Sequence, residues 1–327
     1  MTSLASGSVL NIPMSALAWL GRQGTWAVAA LLFLGIAVPP IDALLKPFVT
    51  EAIFVLLCVA FLRADPMALR TYLGGPGIIL AAAGWTTIVI PALLGATFLG
   101  LGLAERSPDL LLALMLQVVA SPMMAAPAFA ALMGLDSHLV LATLVVGSAL
   151  IPVTAPLLAL AFIGPALALS PLLLGLKLFA ILAGSALVAL TLRGIVGLTA
   201  ITRYKDEIDG VNILVVFVFV AAVMEHVAAR FIARPLAMMG LGALAFLVYF
   251  AVLGLTVIVF AAADRERAFA LGLMASQRNM GLMLAATGGA LPDVAWLYFA
   301  LCQFPIYLSP LLLKPLVRRL VRGRHAS

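Results

Sequence analysis

Four consecutive polar residues, Ser276, Gln277, Arg278 and Asn279, sit about midway along an otherwise apolar run from Ala268 to Ala290. Arg278 carries a fixed positive charge on a planar fork of donors, a shape suited to gripping a carboxylate through two parallel hydrogen bonds. At the centre of a bilayer an arginine costs about 2.5 kcal/mol or more, so such a residue is rarely filler. A second stretch, Ala120-Ser121-Pro122-Met123-Met124-Ala125-Ala126-Pro127, brings two prolines and no charge. Each proline removes a backbone donor and displaces the carbonyl four residues back, so about a turn of helix is expected to unwind there. If both segments break and cross, two half-helix N-termini point at one spot, and their free N–H groups favour an anion. The candidate substrate-binding set is therefore Arg278, Asn279, Gln277, Ser276, Ser121, Pro122 and Pro127, and the expected ligand is a small organic anion.

Blander readings stand beside this one. Pro122 and Pro127 could simply kink a helix. Arg278 could pair with a buried acid, with Glu225 the nearest candidate by composition. Asn279 and Gln277 could bind neighbouring helices instead of a ligand. Glu225 with His226 is a possible proton-coupling site, or else a plain pair near the membrane interface.

The elements that must hold these residues follow from composition. The chain has 327 residues, is 65% hydrophobic and only 10% charged, and has a mean hydropathy of +1.23. No soluble globular domain has this balance. A helical crossing needs roughly 20 apolar residues, so the length allows about ten crossings with short loops. Ten apolar segments can be read at 25–45, 48–63, 77–103, 108–134, 139–164, 170–193, 210–232, 236–263, 267–289 and 294–317. Their continuous apolar character argues for helices over a β-barrel, giving an all-α integral membrane protein. With the N-terminus inside, the inner loops and tails hold Arg22, Arg63, Arg70, Arg193, Arg203, Lys205, Arg265, Arg267, Lys314 and the C-terminal arginines. The outer loops hold only Lys46, Arg106, Arg230 and Arg234. This asymmetry places both termini in the cytoplasm, in a membrane of the bacterial inner type.

Other function classes find little support. The net charge of +6 is scattered through loops and gives no nucleic-acid signature. Cys58 and Cys302 lie in apolar runs and read as inert thiols. His138, His226 and His325 lie at segment ends or in the tail, so no metal or catalytic constellation is expected and the chain is not read as an enzyme. A channel should line several segments with polar residues, and a receptor should carry a soluble output domain. No cleavable leader is expected, and no cofactor; oligomeric state stays open.

The chain also repeats itself. Ala120-Ser121-Pro122 is followed 36 residues on by Pro156-Leu-Leu, and Ala275-Ser276-Gln277 is followed 35 residues on by Pro310-Leu-Leu. Pro152 and Pro305 precede these prolines by similar steps. Five segments separate the copies, and an odd number gives the halves opposite orientation, a pattern of secondary transporters with broken helices. One transmembrane domain over 1–327 is thus expected, with inverted five-helix repeats at 24–164 and 170–320.

At these residues the chain resembles the bile acid:sodium symporter superfamily. That resemblance implies ten helices in two inverted repeats, a panel domain, and a core domain with two crossing broken helices. It also implies an elevator-like shift of the core. The family's second crossing helix carries a Glu and then a Gln-Asn-Ser-Gly-Leu run that helps bind sodium. Here Arg278-Asn279-Met280-Gly281-Leu282 stands in that run, with Met274 in place of the Glu. The family's Cys-Pro-Gly-Gly stretch is replaced by Ser121-Pro122-Met123-Met124, and Pro127-Ala128 replaces a Ser-Asn. The anionic sodium ligand is thereby lost, and an arginine in that register repels a cation. The sodium sites are expected to be absent or degraded, with the guanidinium standing in for the ion. The alternatives are a sodium- or proton-coupled symporter with a different ion site, and an exporter resembling the auxin efflux carriers, which share the architecture and also move organic acids.

Overall fold

The structure, a computed structural model, describes residues 6–23, 27, 30, 33–34, 44–64, 76–164, 169–224, 227–262, 264–289 and 291–322. It is helical nearly throughout, and the described residues contain no strand beyond one isolated bridge. Among the described residues, six helices are long and apolar enough to cross a membrane: Gly77–Gly100, Ser137–Phe162, Pro171–Val196, Lys205–Ala233, Pro235–Phe260 and Asp293–Arg318. Large apolar side chains on their outer faces, such as Leu187, Leu190, Ile195, Leu236, Leu247 and Ile258, are exposed. That distribution suits contact with lipid rather than water, as expected of an integral membrane protein. Most of the first expected segment, 25–45, lies outside the described residues.

The chain divides into two compact units. The first comprises Met1–Arg63 and Ala183–Ala228. It contains α1 (Ser6–Gln23), α2 (Val49–Arg63) and α9 (Lys205–Val223). Helix α1 falls ahead of the first segment that hydropathy picks out, because its polar and small residues dilute the apolar signal. It packs backbone to backbone on α9: a Cβ on Gly21 would collide with the Asp206 carbonyl, and one on Gly210 with the Leu17 carbonyl. Small residues at such crossings let main chains approach where no hydrophobic gain drives association. Arg63 on α2 pairs with Asp209 at 2.6 Å and Arg22 on α1 with Asp206 at 3.4 Å, tying both helices to the start of α9.

The second unit comprises Ala64–Leu182 and Ala229–Ser327. Its first span starts as α3 (Gly77–Gly84), passes through a π-helical turn (Trp85–Val89) and continues as α4 (Ile90–Gly100). Next come α5 (Pro108–Val119), α6 (Ala126–Met133) and α7 (Ser137–Phe162). Helix α8 (Pro171–Val196) begins in this unit. The remainder is α10 (Pro235–Phe260), α11 (Arg265–Ser276), α12 (Met280–Thr287) and α13 (Asp293–Arg322). Helices α5 and α11 form its centre: every residue from Leu111 to Pro122 is buried, as is every residue from Ala270 to Arg278. Asp136 caps α7 by accepting from the Leu139 N–H at 2.9 Å, and Asp264 caps α11 through the Glu266 N–H at 3.0 Å. Arg230 and Asp293 form an exposed pair at 2.7 Å.

Candidate functional site

The chain breaks at both stretches that the residue types single out. Helix α5 ends at Val119; Ala120 turns extended (φ −62°, ψ 152°), and the helix resumes only at Ala126. Helix α11 ends at Ser276, and α12 starts at Met280 after three non-helical residues. The interruptions meet. Pro122 stands opposite Arg278 in an antiparallel bridge. The Met123 N–H donates to the Gln277 carbonyl at 2.6 Å, and the Asn279 N–H to the Ser121 carbonyl at 2.8 Å. In this pairing the two facing residues make no main-chain bond to each other, so a proline fits without loss and the opposed side chains come close. Gly147 on α7 passes over the bridge; a Cβ there would lie 3.9 Å from the Pro122 ring and 3.6 Å from Thr87 Cγ2.

Arg278 is 2% exposed, and its Nη1 donates to two backbone carbonyls, Thr86 at 3.1 Å and Ala120 at 3.0 Å. Both acceptors have a local cause. In the π-helical turn the Ile90 N–H bonds to the Trp85 carbonyl, so the Thr86 carbonyl would next look to residue 91. Residue 91 is proline and has no N–H to give. The Ala120 carbonyl lies where the α5 ladder ends, at the negative pole of that helix, a favourable place for a cation. Nε and Nη2 of Arg278 have no hydrogen-bond partner, and neither do the buried hydroxyls of Thr86 and Ser121. Among the described residues no carboxylate lies within ion-pairing distance of the guanidinium. Burying a donor unpaired costs about 1–3 kcal/mol, and more when it is charged.

The neighbouring polar residues are engaged within the protein. Gln277 is fully buried; the two hydrogens of its Nε2 are shared among Ser309 Oγ at 2.7 Å, the Ile306 carbonyl at 3.0 Å and the Tyr249 hydroxyl at 3.3 Å, while its Oε1 has no partner. Ile306 has a free carbonyl because Pro310, four residues on, lacks the N–H that would bond it. Gln277 and Arg278 thus each cover a carbonyl that a proline on another helix leaves open. Ser276 Oγ donates back to the Leu273 carbonyl at 3.0 Å within its own helix. Asn279 Oδ1 accepts from the Leu282 N–H at 3.0 Å and caps α12. Pro127 falls in the first turn of α6, where a missing N–H costs nothing. The bridge and the Arg278 bonds therefore bring together Arg278, Gln277, Asn279, Ser121 and Pro122.

Five residues went unremarked from sequence: Thr86, Pro91, Tyr249, Ile306 and Ser309. Only Pro91 left a trace, as a proline within a span. Glu225 and His226 lie outside the described residues. No group of three or more His, Cys, Asp or Glu that could hold a metal occurs among the described residues. No protein-family model matches this sequence, and no curated protein matches it.

Proposed function

We propose that the chain is a secondary transporter that carries a small organic anion through the membrane by alternating access. The observation that carries this reading is a buried, fixed positive charge where two interrupted helices are bonded together, with part of its donor set unused. Intramembrane charges that lack a protein counter-ion mark substrate or ion pathways. Broken helices paired near the middle of a membrane domain are a transporter device, since irregular backbone at that depth needs protein or a cavity around it.

Further support comes from the matched halves. Helices α5 and α11 have 12 residues each, and α6 and α12 have eight each. Both short helices end on a left-handed glycine, Gly134 and Gly288. These equalities favour an internal repeat, in keeping with the resemblance to the bile acid:sodium symporters, while the loop charges favour termini in the cytoplasm. The division into two compact units is in keeping with a panel and a core. In this reading sodium is not the coupling ion. Two backbone carbonyls already surround Nη1 of Arg278 as they would a cation.

Reconstituted liposomes loaded with a panel of carboxylates test the reading. Counterflow of at least one carboxylate is expected, at the same rate in sodium, potassium and choline buffers. Steep activation by sodium alone would count against the fixed-charge part, and no flux of any anion would end the proposal.

A further inference from the structure

The guanidinium has two faces of different character. Nη1 is spent on the Thr86 and Ala120 carbonyls, which fix the plane of the group. Nε and Nη2 are both without a partner. By the covalent geometry of arginine, the Nε–H and the nearer Nη2–H point the same way, side by side. Together they form the edge that receives the two oxygens of a carboxylate as parallel hydrogen bonds. The Thr86 and Ser121 hydroxyls, also buried and unpaired, belong to the same two stretches that Nη1 contacts.

Building on the transport reading, we infer that the Nε/Nη2 edge of Arg278 is the seat of a single carboxylate, and that the ligand brings one negative charge to it. Charge sets this limit. One guanidinium balances one negative charge, while a dianion would bring a second that no described residue offsets at this depth. Arg278 binds through its fork in this account, so a lysine with the same charge and a single point of contact is a poor replacement.

The test is calorimetric titration of the full chain in detergent with benzoate, butyrate and pyruvate, against sulfate as the dianion. At least one monocarboxylate is expected to bind, with sulfate at least tenfold weaker. Arg278→Lys is expected to weaken the best probe by at least about tenfold, the scale of losing one fork contact. Because a substitution at this depth can disturb folding, the unaltered protein supplies a second readout. Infrared spectra of the bound probe, 13C-labelled at its carboxyl, are expected to show the carboxylate stretch displaced from its position in water. A stretch at the aqueous position, sulfate binding as tightly as the monocarboxylates, unchanged affinity in a folded Arg278→Lys, or no binding of any probe overturns the inference. If carboxylate flux persists in liposomes in any of those cases, the transport reading stands without it. Loss of all anion flux removes both.

Discussion

The two interruptions reach the same outcome by different chemistry. The break after Val119 contains prolines and no charged side chain: Pro122 and Pro127 lack donors at positions where none is used, and six residues separate the flanking helices. In the break after Ser276, no proline is present and three residues suffice. Here side chains take over, with Gln277 and Arg278 reaching carbonyls on other helices and Asn279 capping the helix that follows. The proline-containing break brings no charged side chain, and the polar break supplies the side-chain donors. Each depends on the other, because two main-chain bonds join them at Pro122 and Arg278. An opening in a membrane helix is thus stable when its loose backbone is satisfied by a neighbour of complementary composition.

The largest effect is expected from removing a supplied donor. Gln277→Leu leaves the Ile306 carbonyl with only Ser309 as a described partner. Stability should fall by about 2 kcal/mol, from losing the bonds that Gln277 makes to Ser309, Ile306 and Tyr249 together. Thermal unfolding followed by a thiol-reactive dye would read it, since Cys58 and Cys302 are buried and free. Adding Pro310→Ala restores an N–H to Ile306, and the pair should be more stable than Gln277→Leu alone by about 1 kcal/mol. No recovery would mean that proline-freed carbonyls do not explain where Gln277 binds. A middling loss of about 1 kcal/mol is expected for Asn279→Ala, which removes a helix cap. The smallest effect belongs to Pro122→Ala. Pro122 occupies a bridge position where no main-chain donor is used, so the change should stay within about 0.5 kcal/mol of zero. A large loss there would show that proline rigidity, and not the flanking bonds, holds the first break.

Much of this arrangement could be read from residue types. Pro122, Pro127 and the run from Ser276 to Asn279 mark both interruptions, because missing donors and buried polarity are properties of the residues themselves. The partners of Arg278 could not be read so. Its acceptors are main-chain carbonyls, which every residue carries, and Thr86 becomes one only through the conjunction of a π-helical turn with Pro91. Ser276 and Gln277 look like ligand-binding residues on paper, yet their donors go to Leu273 on the same helix and to Ile306 and Ser309 on α13. Helix α1 escapes hydropathy because its packing relies on glycine, whose contribution is the absence of bulk.

Two of the bonds that join the breaks are made of peptide N–H and carbonyl groups alone, from Met123 to Gln277 and from Asn279 to Ser121. No exchange of side chains, short of a proline at one of the two donor positions, deletes either bond. Side chains around the clasp can therefore be exchanged while the clasp itself persists. The chemistry displayed at position 278 is thus separable from the main-chain frame that displays it.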